Sequence, residues 1–180
     1  SQNLIISTGE LFGSVLVLHG DQELTVTQDV DIDAAGMIRF EEDSLLTAGN
    51  ILNDGVLEFA SPAASLTAQT INNNGIIRGT GRRLADLTNT VQGNLRAQNV
   101  ETMFVQGGSH TNAGSIDVVD SEIEFLGGLV NEAGSGQINA RNPILRFTDG
   151  LTNEGTLNLS FGTADLFGNF TNSSSGLVVV

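Results

Sequence analysis

The sequence predicts an all-β protein folded as a right-handed parallel β-solenoid of about 8–9 coils, each about 20 residues long. The first observation is a glycine that recurs about every 20 residues along the 180-residue chain. The second is an inside–outside alternation that follows every one of these glycines. The anchor glycines are Gly13, Gly36, Gly55, Gly75, Gly93, Gly114, Gly136, Gly155 and Gly176. A period in this range is typical of solenoids, in which each repeat buries its apolar edge only against its neighbours.

The first strand of each coil begins just after its anchor. Leu57 and Phe59 alternate with Glu58, which is the period of a half-buried strand. The residues two after the anchors are aliphatic and are expected to point inward: Val15, Ile38, Leu57, Ile77, Leu95, Ile116, Ile138, Leu157 and Val178. The residues four after the anchors contain no polar member: Val17, Phe40, Phe59, Gly79, Ala97, Val118, Ala140, Leu159 and Val180.

A second strand is expected about nine to eleven residues after each anchor. Its predicted inward pairs are Ala64 with Leu66, Ile123 with Phe125, Leu145 with Phe147, and Ala164 with Leu166. Phe104, Phe125 and Phe147 stand eleven residues after their anchors, so the sequence predicts that they stack in one column.

A third segment returns to the next glycine through an aliphatic-x-Asn-x-Gly motif, as at Asn53, Asn73 and Asn153. Asparagine tolerates left-handed backbone, and its amide can bond to the equivalent amide one coil away. An asparagine at the same place could also contact a ligand. Its recurrence at a fixed position of the repeat favours the structural interpretation.

Parallel stacking is the arrangement that explains these columns. Apolar residues do not follow helical spacing for more than a turn, and an antiparallel meander would not return the same strand in register every 20 residues. Equivalent positions then lie about 4.8 Å apart, and the handedness of parallel crossovers favours a right-handed coil.

The whole chain, residues 1–180, is predicted to be one β-solenoid domain. Residues 1–12 are expected to form an N-terminal entry strand or cap, and residues 176–180 an incomplete last coil. Because the chain starts at a serine and stops within a repeat, we expect either an excerpt of a longer solenoid or a subunit that stacks into a fibre.

Composition restricts the class of partner. The net charge is −14, the seven basic residues are all arginine, and cysteine is absent. Binding to nucleic acid or to an anionic membrane is disfavoured because phosphate neutralisation needs clustered cations. No run of 18 apolar residues predicts a membrane-spanning helix.

The unit [Ile/Leu]-x-Asn-x-Gly-x-[Ile/Leu]-x-[apolar] resembles the repeats of secreted bacterial β-helix proteins, of the filamentous-haemagglutinin and autotransporter-passenger type. The resemblance covers the chain from about Gly13 to Val180. It implies an extracellular or cell-surface location and a structural or adhesive role. The family also contains some enzymes, so the resemblance alone does not choose among these roles.

Two groups of charged residues are candidates for chemistry. Asp29, Asp31 and Asp33 alternate and so project from one face of a strand, where they form a weak calcium candidate against the alternative of a solvated acidic face. Arg78, Arg82 and Arg83 surround a glycine-containing turn, which is expected to be an outward-facing loop. No other cofactor is predicted, and no catalytic residue is assigned.

The leading hypothesis is an extracellular structural solenoid that is not an enzyme and that associates end to end or continues a longer solenoid. An adhesin segment that binds a surface glycan or protein is one alternative, and a polysaccharide lyase or hydrolase is another. The predicted assembly edges are Leu4, Ile5 and Ile6 at one end, and Leu177, Val178, Val179 and Val180 at the other.

Overall fold

The computed structural model describes residues 3–6, 9–11 and 14–180, and the side chains from residue 14 onward. All regular structure in these residues is β-strand, and they contain no helix that could cross a membrane. The first strands are β1 (Asn3–Ile6), β2 (Gly9–Leu11), β3 (Val15–Leu18), β4 (Glu23–Val26), β5 (Val30–Ile32), β6 (Met37–Phe40), β7 (Leu45–Thr47), β8 (Asn50–Asn53) and β9 (Val56–Phe59). The middle strands are β10 (Ser65–Asn73), β11 (Ile76–Gly79), β12 (Gly81–Asn89), β13 (Asn94–Gln98), β14 (Thr102–Asn112), β15 (Ser115–Val119) and β16 (Glu122–Asn131). The last strands are β17 (Gln137–Arg141), β18 (Ile144–Phe147), β19 (Leu151–Asn153), β20 (Thr156–Ser160), β21 (Thr163–Leu166), β22 (Phe170–Asn172) and β23 (Leu177–Val179).

The strands form two parallel sheets, of 14 and 9 strands. The larger sheet contains two stacks, which we call the first face (β1, β4, β7, β18, β21) and the second face (β2, β5, β8, β19, β22). The long strands β10, β12, β14 and β16 join these two faces, and register shifts in their pairings mark the bend between them. The third face is the nine-stranded sheet from β3 to β23. Each coil supplies one strand, or part of a long strand, to every face, which confirms the predicted β-solenoid.

The anchor glycines are required by close contact between coils. A Cβ on Gly55, Gly75, Gly114 or Gly155 would lie 2.2 Å from the carbonyl oxygen of the preceding anchor, well inside van der Waals contact. Their φ angles are outside the left-handed region, so the reason for glycine is space rather than backbone conformation. Gly13 lies outside the described residues.

The residues two after the anchors form one column of the core. Seven of them are buried, from Ile38 to Leu157, and Val178 is partly exposed in the last strand. The prediction is wrong in the first coil, where Val15 is 62% exposed and Leu16 and Leu18 take the inward places. The cause is that Ser14 stands where the anchor glycine stands elsewhere: its carbonyl accepts the N–H of Met37, as that of Gly36 accepts the N–H of Val56.

The predicted phenylalanine column is half correct. The rings of Phe125 and Phe147 stack with centroids 5.9 Å apart and planes 6° apart. Phe104 pairs in register with Glu124 and faces outward, while Val105 occupies the inward place below Phe125. A second stack, Phe40 on Phe59 with centroids 4.3 Å apart, lies under the third face.

Candidate functional site

The clearest candidate for an interaction site is the C-terminal edge. We define it as Phe167 and Val180 together with the three strands β21, β22 and β23. These are the last strands of the three faces, and each pairs with a neighbour on one side only within the described chain. Its exposed apolar residues are Leu166, Phe167, Phe170, Leu177, Val178, Val179 and Val180. Equivalent inward residues of the middle coils are buried because the next coil covers them. The predicted residues 177–180 therefore lie at an open edge, together with two strands that the prediction did not include.

The backbone of this edge is also open. The N–H of Leu177 donates to the carbonyl of Gly155 in the coil below, and Leu177, Val178 and Val179 pair with Thr156, Leu157 and Asn158. Because alternate residues of a parallel strand bond to opposite neighbours, the N–H and C=O of Val178 point away from the solenoid. Such unpaired groups are a template for another strand.

The opposite end is the N-terminal edge, formed by β1, β2 and β3. Leu4, Ile5 and Ile6 lie in β1, which pairs with β4 alone, while β2 pairs with β5 alone and β3 with β6 alone among the described strands. The predicted entry segment therefore contributes strands in register with the coil above it. Residues 1, 2, 7, 8, 12 and 13 lie outside the described residues.

An asparagine column runs up the inside of the second face and reaches the C-terminal edge. Its members are Asn53, Asn73, Asn89, Asn112, Asn131, Asn153 and Asn172. From Asn53 to Asn153, each Nδ2 donates to the Oδ1 of the asparagine one coil further on, over donor–acceptor distances of 2.6–2.8 Å. The second amide hydrogen donates to a backbone carbonyl, such as that of Thr156 from Asn131. The structural interpretation of the corner asparagines is confirmed.

The two ends of the column differ because all its hydrogen bonds point the same way. Asn53 Oδ1 is buried without a hydrogen-bond partner, and the residue below it in register is Ile32. Asn172 is exposed at the C-terminal edge, where its Nδ2 donates to the Gly176 carbonyl at 2.9 Å. The column thus presents a donor toward the C-terminal edge.

The three acidic calcium candidates lie around β5 on the outer surface. Asp29 Oδ1 accepts both the backbone N–H and the side-chain amide of Asn50, and Asp33 accepts the N–H of Ala35. Asp31 is exposed on β5 between the buried Val30 and Ile32. No group of three or more acidic or histidine residues suited to a metal ion occurs in the described part of the chain. Calcium binding at these residues stays a prediction.

The outer row of the third face carries charged side chains on successive coils. Glu58 lies between Arg39 and Arg78 and accepts hydrogen bonds of 2.8 Å from both. Arg96 and Asp117 are neighbours in register, but Asp117 accepts from Asn94 and Asn139 instead. Exposed ion pairs of this kind contribute about 0–1 kcal/mol each.

Arg83 contradicts the expectation of an outward-facing arginine loop. Arg78 and Arg82 point outward, but Arg83 is 1% exposed in the core. Its guanidinium carbon lies 3.7 Å from the centroid of the Phe59 ring, and its Nη1 donates to the Gly81 carbonyl at 2.8 Å. Gly79 is the partner of Phe59 in register, so the guanidinium fills the space that the missing side chain leaves. Burial lowers the pKa of Arg83 to about 9, and the charge of Glu101 opposes this effect.

We expect Arg83→Met to leave the melting temperature unchanged or to raise it. A buried charge with no carboxylate bound to it carries a desolvation penalty that an apolar chain of similar volume avoids. Arg83→Ala should instead destabilise the protein by about 2–5 kcal/mol, because it leaves a cavity above Phe59. Thermal denaturation followed by circular dichroism compares the two variants. A loss in the Met variant as large as in the Ala variant would show that the carbonyl hydrogen bonds outweigh desolvation.

His110 stands at the position that an aliphatic residue occupies in the aliphatic-x-Asn-x-Gly motif of other coils, and its side chain is fully buried. Its Nδ1 accepts the backbone N–H of Leu87 at 3.2 Å, and its Nε2 lies 3.2 Å from the Leu126 carbonyl, to which it donates in the neutral tautomer. Burial lowers the pKa of His110, against smaller opposing effects of the Leu126 carbonyl and Asp86. The ring therefore links three successive coils as a neutral imidazole.

Acidification should destabilise the protein through His110. The neutral form is favoured in the folded state, so its contribution is complete above the unfolded pKa of 6.5 and is lost as the pH falls below that value. We expect the drop in melting temperature between pH 8 and pH 5.5 to be smaller in His110→Leu than in the native chain. Leu129→Ala provides the control: Leu129 lies beside His110 in register and has no titratable group, so this variant should retain the native pH dependence. Equal drops in the native chain and the His110 variant would contradict this assignment.

Two shallow furrows lie on the outer surface. One, of about 650 Å³, crosses the third face past Arg96, Asn139 and Arg141. The other, of about 590 Å³, follows a corner past Asp120 and Phe161. Phe161 is 89% exposed and has a φ of 56°, an uncommon conformation for a bulky residue. Phe161 therefore lies on the outer surface, unlike the buried rings of the two phenylalanine stacks.

No protein-family model, curated protein or solved structure matches this chain.

Proposed function

We propose that the chain is an extracellular structural β-solenoid segment of a surface-associated fibre or matrix protein. The observation that carries the proposal is the C-terminal edge, where apolar side chains and unpaired backbone groups of three strands lie together. A further β-coil stacked there would cover both. The source of that coil is either a second copy of the chain or an adjoining segment of a longer solenoid.

The interior supports a mechanical role. Parallel pairing continues through nine strands of the third face, and six amide–amide hydrogen bonds tie successive coils along the asparagine column. At about 4.8 Å per coil, nine strands make a rod roughly 40 Å long. Such a rod resists local opening because each inner coil is bonded on both sides.

The proposed extracellular location and bacterial origin rest on the resemblance of the repeats to those of a known group of proteins. The aliphatic-x-Asn-x-Gly unit is similar to that of secreted bacterial β-helix proteins, and a cysteine-free chain with a net charge of −14 is compatible with a surface environment.

The outer furrows support an adhesin segment as the second candidate, with a glycan or protein as the ligand. Each of the three carboxylates in the corner furrow already has a partner, Glu101 with the Gln98 N–H, Asp120 with Asn142 and Glu122 with Arg146. This pairing favours binding over catalysis there.

The stacking role can be tested by repeating Ser160–Val180 once after Val180. The repeat continues the register because Val179 pairs with Asn158, which places Val180 at the position of Leu159. We expect slower hydrogen exchange at the Val178 amide and a higher melting temperature, since the added coil covers the edge. The control adds the same residues in scrambled order. An edge that exchanges equally fast in both extended chains would refute the stacking role.

Assembly of copies is tested separately. Filaments of the purified chain with a meridional repeat of about 4.8 Å would identify a second copy as the covering coil. If the purified chain stays a monodisperse monomer at high concentration, the covering coil is instead an adjoining segment of a longer solenoid. If filaments form, Val178→Asp should suppress them by placing a charge in the edge. Ser174→Asp is the matched control, because Ser174 lies in the exposed corner before β23 and outside the strand.

A further inference from the structure

We propose that the C-terminal edge selects a β-coil that places an asparagine over Asn172, and that the N-terminal edge of a second copy does not meet this requirement. The inference rests on the proposed stacking role and names the chemistry of the covering coil. The covering coil is a parallel β-coil, and it is not the first coil of a second copy of this chain.

The asparagine column has a direction. In every pair the donor is Nδ2 of the earlier coil and the acceptor is Oδ1 of the later coil. A coil placed after Asn172 must therefore offer an acceptor at the same corner. Asparagine accepts there and also passes a donor to the next coil, as it does along the column.

One amide hydrogen of Asn172 remains for a covering coil. Its Nδ2 donates to the Gly176 carbonyl at 2.9 Å, as Asn89 donates to the Gly93 carbonyl at 3.2 Å. Asn89 Nδ2 also donates to Asn112 Oδ1 and to the Ser115 carbonyl in the next coil, whereas the sequence has no asparagine after Asn172. The remaining hydrogen of Asn172 is accessible to solvent while the edge is uncovered, because this residue is exposed. A covering coil with an apolar corner would exclude the solvent and leave a buried donor without a partner.

In the described strands of the N-terminal edge, the residue at this register position is a leucine, whose side chain has no hydrogen-bond acceptor. Asn53 pairs in register with Ile32, and Ile32 with Leu11, so Leu11 stands at the column position in the first coil. A second copy stacked head to tail would place Leu11 over Asn172. The rest of the C-terminal edge is less selective, because Leu166 and Val178 present aliphatic surface to any apolar coil.

The test uses the chain extended by a repeat of Ser160–Val180, in which the added coil supplies its own asparagine. The comparison chain has Asn172→Leu in the added coil alone. We expect the Val178 amide to be protected about tenfold more strongly with asparagine than with leucine in the added coil. The side-chain amide hydrogens of the original Asn172 should exchange slowly only with asparagine above them. Thr171→Ala in the added coil changes an outward residue and should leave both rates unchanged.

A double-mutant cycle isolates the contact from other effects of leucine. With Asn172→Leu in the original coil as well, the preference for asparagine in the added coil should disappear. Equal protection by both added coils would overturn the selectivity while leaving the stacking role intact. If neither added coil slows hydrogen exchange at the Val178 amide, the stacking role itself is refuted.

The chain without an extension gives an independent arm. Sedimentation at increasing concentration should show a monomer, because a second copy offers Leu11 at the column position. Head-to-tail polymers with a protected Asn172 side-chain amide would overturn the inference, although they would support the stacking role.

Discussion

Gly114→Ala should strongly disrupt the middle coils of the solenoid. A Cβ at this position would lie 2.2 Å from the carbonyl oxygens of both Gly93 and Thr90. Both obstacles are backbone atoms, so no side chain can rotate away and the coils must separate locally. We expect a loss of at least about 3 kcal/mol, the upper end of the typical cost of overpacking, because local separation of the coils also breaks backbone hydrogen bonds.

The measurement is thermal and urea denaturation by circular dichroism, with hydrogen exchange to locate the opening. Gly128→Ala is the matched control, because a Cβ there has no atom within 4 Å and the φ of Gly128 is not positive. The control should be neutral or slightly stabilising, since alanine restricts the unfolded chain. Similar losses in both variants would mean that backbone conformation rather than contact between coils requires the anchor glycine.

Asn73→Ala should remove a central link of the asparagine column. The substitution deletes the acceptor of Asn53 Nδ2 at 2.6 Å and the donor to Asn89 Oδ1 at 2.7 Å. Asn89 Oδ1 then lacks a partner, and Asn53 Nδ2 keeps only its 3.3 Å hydrogen bond to the Ile76 carbonyl. At about 1–3 kcal/mol for each group, we expect a loss of about 2–6 kcal/mol and a melting temperature lower by at least about 5 °C.

The neighbouring Asn72 provides the control. It lies in the same strand, β10, but faces outward and is exposed, so Asn72→Ala should change stability by less than about 0.5 kcal/mol. Hydrogen exchange should show faster opening at β8 and β12, which flank β10, in the Asn73 variant only. A stable Asn73 variant would contradict a stabilising role for the column.

The repeat itself could be predicted because stacking forces equivalent residues into columns. The aliphatic residue two after each anchor and the corner asparagine recur in every middle coil, and both columns are buried as expected. Phe104 and Arg83 could not be placed by counting from their anchors. The corner before β14 carries two successive residues, Asn99 and Val100, with φ of 61° and 69°, whereas only Asp120, with φ of 51°, has a positive φ before β16. The longer corner shifts the alternation by one residue, which exchanges the inward and outward faces.

The architecture, the anchor glycines and most members of the asparagine column can be read from the amino-acid pattern, because they recur along the chain with about the period of a coil. Asn89 is the exception, since it follows Asn73 by only 16 residues and stands four residues before its anchor glycine. Three other features emerge only when the coils are stacked: the column is directional, Arg83 fills the space beside Gly79, and three strands share the open C-terminal edge. Alternation fixes which residues share a face within one strand, whereas corner geometry and contact between coils fix the phase of one strand relative to the next.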